Sequence, residues 1–168
     1  ILKAMKRGYS KEWFLNRIKK IKDLVPDVRI TTDIIVAFPG ESQEDFEDTI
    51  DVINQVKFDQ IFNFKYSPRP NTQALNLQDE EVEDKIGSSR LTEVIELHKL
   101  HLVEHMKSNV GKTVKVLFES LKPNGEISGF TDNWCQVFVK GSDELLGQFV
   151  DVKIISSTRT ALQGEVIN

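Results

Sequence analysis

Two apolar runs closed by turns, TTDIIVAFPGE at 31–41 and FNFKYSPRP at 62–70, constrain this chain more than anything else in it. In the first, Ile34, Ile35, Val36 and Phe38 form a short run rich in β-branched residues, as expected of a strand buried on both faces. Pro39-Gly40 breaks the run. Ser42 is placed to cap the next helix, and Asp45 three residues on gives a capping-box-like arrangement. The second run reads as another strand that ends in a polar loop. Strand, helix and strand at this spacing predict βα units and a parallel sheet, with ligands expected at the C-terminal ends of the strands. Two strands cannot make a stable parallel sheet alone, so the pattern predicts a partial (βα) barrel.

The neighbouring segments fit that frame. Ser10 to Leu24 reads as a helix, with Trp13, Phe14, Ile18 and Ile21 at helical spacing and Val25-Pro26 as the stop. Arg29 to Phe38 is the first strand, Ser42 to Val56 an amphipathic helix, and Phe58 to Tyr66 the second strand. Ser67 to Gln78 reads as a loop. Asp79 to Asn109 is one long helix or two shorter ones, interrupted near Gly87-Ser88-Ser89 and apolar on several sides, as a connector between domains would be. From Val110 the period changes to that of strands: Lys112 to Ser120, Glu126 to Phe130, Trp134 to Lys140, Gly147 to Ser156 and Thr160 to Ile167, separated by turn residues. Five short strands in this length predict a small closed or nearly closed barrel of the oligonucleotide-binding type. The fold class is thus α/β plus all-β, with a partial barrel in 1–78, a connecting helix in 79–109 and a five-stranded barrel in 110–168.

Composition narrows the setting. The chain has no apolar run that could span a membrane and no signal-peptide pattern, and its single cysteine, Cys135, fits a cytoplasmic protein rather than a disulfide framework. A net charge of −4 speaks mildly against a nucleic-acid partner. The first 22 residues differ: they hold eight Lys and Arg against Glu12 alone. That run reads either as a solvated helix face or as a phosphate-facing patch.

TTDIIVAFPGE, FNFKYSPRPNT and the closing GQFVDVKIISSTRTALQGEVI together resemble the C-terminal portion of the radical S-adenosylmethionine methylthiotransferases, most closely the MiaB-type enzymes that modify tRNA. The resemblance covers nearly the whole chain. Ala37 and Asn71 stand where the family's usual VGFPGE and PRPGT have glycine, and each adds a Cβ at a turn. The resemblance implies the tail end of an enzyme, the last strands and helices of a catalytic barrel followed by a TRAM domain that grips RNA. It implies S-adenosylmethionine and two 4Fe–4S clusters as cofactors of the parent enzyme, and a prenylated adenosine beside the anticodon as its substrate. One cysteine cannot hold either cluster unaided, so the isolated chain is expected to be inactive. The implied partners are a tRNA anticodon stem-loop and the missing N-terminal part of the same enzyme. No membrane partner is expected, and apolar strand edges could make the isolated chain self-associate. Two other readings stay open: a RimO-type enzyme, whose small barrel meets a ribosomal protein, and a stand-alone RNA-binding module.

Candidate site residues follow from the same segments. By resemblance Ile35 and Ala37 neighbour the cofactor pocket, with inward or outward facing dependent on register. The loop Tyr66, Ser67, Arg69 and Asn71 borders cofactor and substrate by resemblance, and an arginine at a strand end can hold a carboxylate or phosphate bidentately. Arg7 lies where the family commonly has a cofactor-facing arginine. In the small barrel, Phe130, Trp134 and Phe138 could stack on unpaired bases while Lys112, Lys140 and Arg159 meet phosphates. The competing role for these aromatics is core packing, with Trp134 and Phe138 on one face of one strand. His98, His101 and His105 share a helical face but lack an acidic partner there, so a packed helix face is expected rather than a metal site. Cys135 reads as a small core residue.

Overall fold

A computed structural model of the chain describes residues 1–167, leaving aside the side chains of 78–80. It divides into two compact units, Ile1–His98 and Lys99–Asn168.

In the first unit the order is α1 (Lys11–Leu24), β1 (Thr31–Val36), α2 (Gln43–Val56) and β2 (Gln60–Lys65), then a 3₁₀ segment at Gln73–Glu80 and the start of α3 (Asp84–Ser108). Local chemistry sets these bounds. The Ser10 side chain accepts from the Trp13 N–H to cap α1, and Val25, ahead of Pro26, leaves the helical conformation at φ -134° and ψ 85°. Ser42 and Asp45 form the expected capping box on α2. The Ser42 hydroxyl and then its backbone N–H hold the Asp45 carboxyl below its usual range. Lys11 ties α1 to α2 through Asp48 and Asp51, both at 2.6 Å. These two carboxylates raise the Lys11 ammonium above its usual range.

Strands β1 and β2 pair in parallel, with Ile35 opposite Phe64 and Asp33 opposite Phe62. One face of the pair packs on the helices through Ile34, Val36 and Ile61, joined by Ile18, Phe46, Ile53, Val56, Phe58 and Val94. Each such side chain, fully buried, contributes roughly 1.5–3 kcal/mol. The other face presents Ile35, Phe62 and Phe64, each 40% exposed or more. The strands are therefore not buried on both faces among the described residues, and the apolar character of their second face finds no cover there.

Two expectations in this unit change. The segment after β2 is not wholly loop, since Gln73–Glu80 winds into 3₁₀ turns. Helix α3 runs unbroken through Gly87-Ser88-Ser89. Gly87 is needed there for space, because a Cβ on it would lie 2.9 Å from the Ala37 Cβ.

In the second unit five strands close a barrel in the order β3-β4-β5-β7-β6: β3 (Thr113–Leu121), β4 (Glu126–Thr131), β5 (Gln136–Lys140), β6 (Phe149–Ser157) and β7 (Leu162–Val166). All pairs are antiparallel except β5 with β7. Val116, Phe118, Ile127, Val137, Val139, Val152, Ile154 and Leu162 fill the interior, with Cys135 and Met106 among them. Cys135 is thus the core residue expected. Gly129 lets β4 pass close to β3, since a Cβ there would fall 1.9 Å from the Leu117 carbonyl oxygen. Among the described residues no helix is long and apolar enough to cross a membrane.

Candidate functional site

The first candidate site lies at the C-terminal ends of β1 and β2. The chain leaves β1 through Ala37, whose φ of 58° is left-handed. A residue with a Cβ pays roughly 1–2 kcal/mol for that conformation, so something must hold it. Glu41 does so. Its carboxylate accepts from the Ala37 N–H at 3.0 Å, and its own N–H donates to the Phe38 carbonyl at 2.9 Å. Arg90 of α3 closes the arrangement, with Nη1 2.7 Å from the Glu41 carboxylate and 3.1 Å from the Glu41 carbonyl oxygen. Both side chains are over 90% buried, at 4% and 8% exposure. The guanidinium also sits 5.2 Å from the centre of the Phe46 ring. A carboxylate that organises a backbone turn and is neutralised by a buried arginine makes this a fixed platform.

Beside that turn, the Tyr66 N–H donates to the Val36 carbonyl at 2.9 Å, and the Tyr66 ring meets Phe38 edge-on at 5.2 Å. A pocket of about 420 Å³ opens here, lined by Ala37, Lys65, Tyr66, Pro68, Val82 and Gly87 together with Glu81, Glu83 and Asp84. Lys65 Nζ bridges Asp84 at 2.7 Å and Ser88 at 3.2 Å. The structure therefore brings together Ala37 and Tyr66 of the five residues expected around a cofactor. Ile35 faces the open side of the sheet beside Phe64. Arg7 and Arg69 are exposed and do not line the pocket. Asn71, like Ala37, is left-handed, with φ 64°. Sequence reading missed Glu41, Arg90 and Gly87. Glu41 ended the motif in plain view, but its partner is 49 residues away and no local pattern marks it.

The second candidate site is the outer face of the small barrel. The register aligns Phe149 of β6, Leu117 of β3, Phe130 of β4 and Gln136 of β5 across four strands. One step along, Ser128 pairs with Phe138, and Lys122 Nζ lies 4.1 Å over the Phe138 ring. Trp134 does not belong to β5, as expected from the sequence, but to the turn before it, at φ 60°. The Thr131 hydroxyl accepts from the Cys135 N–H at 2.9 Å and fixes that turn. Trp134 is held 5.7 Å from Phe130 and remains 70% exposed, as does Phe149. None of Phe130, Trp134 and Phe138 joins the core. Alternation explains this for Phe138, whose neighbours Val137 and Val139 point inward.

The basic residues expected beside these rings are dispersed. Lys140 pairs in register with Glu126, while Lys112 sits at the opposite end of β3 and its carbonyl accepts from the Ile154 N–H. Arg159 is exposed in the turn between β6 and β7. Lys122, which does sit over a ring, was missed; its place just past the end of a strand gave no signal.

No group of three or more His, Cys, Asp or Glu side chains that could hold a metal ion occurs among the described residues. His105 instead lies 3.9 Å from the Cys135 sulfur. A four-iron cluster, which needs several thiolates, does not fit these residues.

Residues 1–53 match the model of the Radical SAM superfamily, and residues 107–167 match that of the TRAM domain. The chain is 70% identical, over 100% of its length, to the tRNA-2-methylthio-N(6)-dimethylallyladenosine synthase of Aliarcobacter butzleri. It is 55% identical over 99% of its length to the enzyme of that name from Sulfurimonas denitrificans, and 52% to one from Campylobacter jejuni. In each case it spans 38% of the relative's length.

Proposed function

We propose that the chain is part of a radical S-adenosylmethionine methylthiotransferase, supplying a wall of the cofactor pocket and the RNA grip of an enzyme that methylthiolates a prenylated adenosine beside the anticodon of tRNA. In this reading 1–78 is the end of the catalytic barrel, 79–109 the connecting helix and 110–168 the TRAM domain.

S-adenosylmethionine, when bound, supplies the methyl group and the radical chemistry of the family. Ala37 and Tyr66 would hold it: both line the pocket at the strand ends, where α/β barrels place their ligands. Ile35, Arg69 and Arg7 complete the proposed set at greater remove. The fixed turn at Ala37–Glu41 keeps this wall in one place without the binding event having to order it. Among the described residues no ligand set for an iron cluster occurs, and no role toward the clusters is assigned to them. The open face of β1 and β2, with Ile35, Phe62 and Phe64, supports further barrel strands as its cover.

The observation that carries the RNA part is the exposed aromatic face of the barrel. Trp134 and Phe149 offer exposed rings to unpaired bases beside the half-buried Phe130 and Phe138, and Lys122 offers a cation over the Phe138 ring. Lys112, Lys140 and Arg159 act as outlying phosphate contacts. The test is binding of the 168-residue chain to an anticodon stem-loop RNA carrying the prenylated adenosine. Affinity should fall by tenfold or more between about 50 and 200 mM salt. Trp134→Ala should weaken it about fivefold or more, the lower end of what base–aromatic stacking is worth. Affinity unchanged in both Trp134→Ala and Phe149→Ala would refute this face.

A further inference from the structure

The outer face of α1 is an aromatic and cationic surface that neither the cofactor pocket nor the small barrel uses. Its rings form a continuous series rooted in the core. Phe58 packs on Phe14 at 6.4 Å, and Phe14 stacks with Tyr9 at 5.9 Å. Tyr9 stacks with Trp13 at 5.6 Å and 26°. The Arg17 guanidinium then lies 5.0 Å from the centre of the indole. The inner end of this series is buried, whereas Trp13 at its outer end is 50% exposed. A half-exposed indole held on one side by anchored rings is rigid, and it can accept a contact with little loss of side-chain entropy.

Charge on this helix is divided by face. Lys11 is committed to Asp48 and Asp51, and Lys22 donates to the Val56 carbonyl, so both serve the packing of α1 on α2. Trp13, Arg17, Lys20 and Leu24 recur at four, three and four residues, which places them on one stripe away from that packing. All four are exposed. Lys19 and Lys20 pair with no carboxylate among the described residues. The first 22 residues carry eight cations and one anion in a chain whose net charge is −4, so the excess is concentrated here. A solvated helix face needs charge but has no use for an exposed, stacked Trp–Arg pair at its centre. Unpaired nucleotides use both, since bases stack on aromatic rings and guanidinium planes while the adjoining phosphates draw cations.

We propose that the Tyr9–Trp13–Arg17 stack, with Lys20, is a second RNA-binding surface that takes an unpaired nucleotide of the substrate tRNA. The base extends the stack at Trp13 and Arg17, and Lys20 meets the flanking phosphate. This rests on the reading of the chain as a tRNA-binding part of an enzyme. Its failure can be separated from the failure of that reading.

The experiment measures binding of the 168-residue chain to the unmodified substrate tRNA across a salt series. It compares the unsubstituted chain with Trp13→Ala, Arg17→Gln plus Lys20→Gln, and the barrel variant Trp134→Ala. Trp13→Ala should weaken binding about fivefold or more. The double variant keeps the indole and should lower the slope of log affinity against log salt by about one to one and a half. Thermal melting confirms that each variant is folded, and the two helix variants act by different means, so loss of fold in one leaves the other to decide. Binding that responds to Trp134→Ala but to neither α1 change overturns this proposal and leaves the barrel face standing. A surface that serves a protein partner would give that same result. No binding by the unsubstituted chain overturns both.

Discussion

Gly87 and Ala37 make opposite demands on one small volume, and that opposition can be measured. Gly87 lies inside α3, where Gly→Ala should gain about 1 kcal/mol of helix stability. The added Cβ, however, would stand 2.9 Å from the Ala37 Cβ and 3.1 Å from the Lys65 Cδ. Lys65 can give way, because its Cδ belongs to a flexible stem. Ala37 cannot, because its left-handed backbone is held by the Glu41 carboxylate, which Arg90 holds in turn. Forcing extra volume against such a site costs about 1–3 kcal/mol, so Gly87→Ala should destabilise the first unit by about 1 kcal/mol net. In an Ala37→Gly background the colliding atom is gone and the propensity gain should remain, so the same substitution should stabilise by up to about 1 kcal/mol. The coupling between the two positions is then about 2 kcal/mol. Urea unfolding followed by Trp13 fluorescence reads this unit selectively if Trp134 is replaced by Phe. Equal effects of Gly87→Ala in both backgrounds, with coupling below about 0.5 kcal/mol, would show that the Ala37 Cβ is not what demands glycine in α3.

The remaining expectations are read by urea unfolding as well, with Trp13 fluorescence reporting the first unit and circular dichroism of the strands reporting the barrel. Arg90→Ala leaves the Glu41 carboxylate buried without its cation and should cost about 3–5 kcal/mol, with Glu41→Gln in the same background recovering part of the loss; a cost under about 1 kcal/mol would mean that the carboxylate reaches solvent. The Asp45 carboxyl is held below its usual range, so its contribution is fully present above the unfolded value of 3.8 and is lost as pH falls through the lower folded value. Asp45→Asn should therefore flatten the acid end of the stability curve, and an unchanged acid limb would contradict the capping box. Phe118→Ala in the barrel core should cost about 3–5 kcal/mol, while Trp134→Ala should change stability by less than about 0.5 kcal/mol. A large loss from Trp134→Ala would make that ring structural.

Much of this fold was legible because its signals are local. Ser10 before Trp13-Phe14 and Ser42 with Asp45 placed both helix starts within one residue, since caps satisfy backbone N–H groups only at a terminus. The five barrel strands were readable from turn residues and alternation. Gly87 misled because its local cost to a helix is outweighed by the close approach it permits. Trp134 misled because Thr131 and Cys135 close a turn that starts the strand two residues later than alternation suggested. The pocket wall was visible at Ala37 and Tyr66, which flank recognisable turns. Its clamp was not, because an ion pair spanning 49 residues leaves no periodic trace. Likewise, the Tyr9–Trp13–Arg17 stack looked like a plain basic run until the ring geometry showed which residues it exposes.

Methylthiolation of prenylated adenosine in tRNA is the activity proposed for the enzyme of which this chain would be part. Mass spectrometry of tRNA nucleosides from source cells, with the gene for this chain deleted and then restored, tests it most directly. On deletion the methylthiolated nucleoside should disappear and its prenylated precursor accumulate, and restoration should reverse both. Unchanged methylthiolated nucleoside after deletion would contradict the proposed activity.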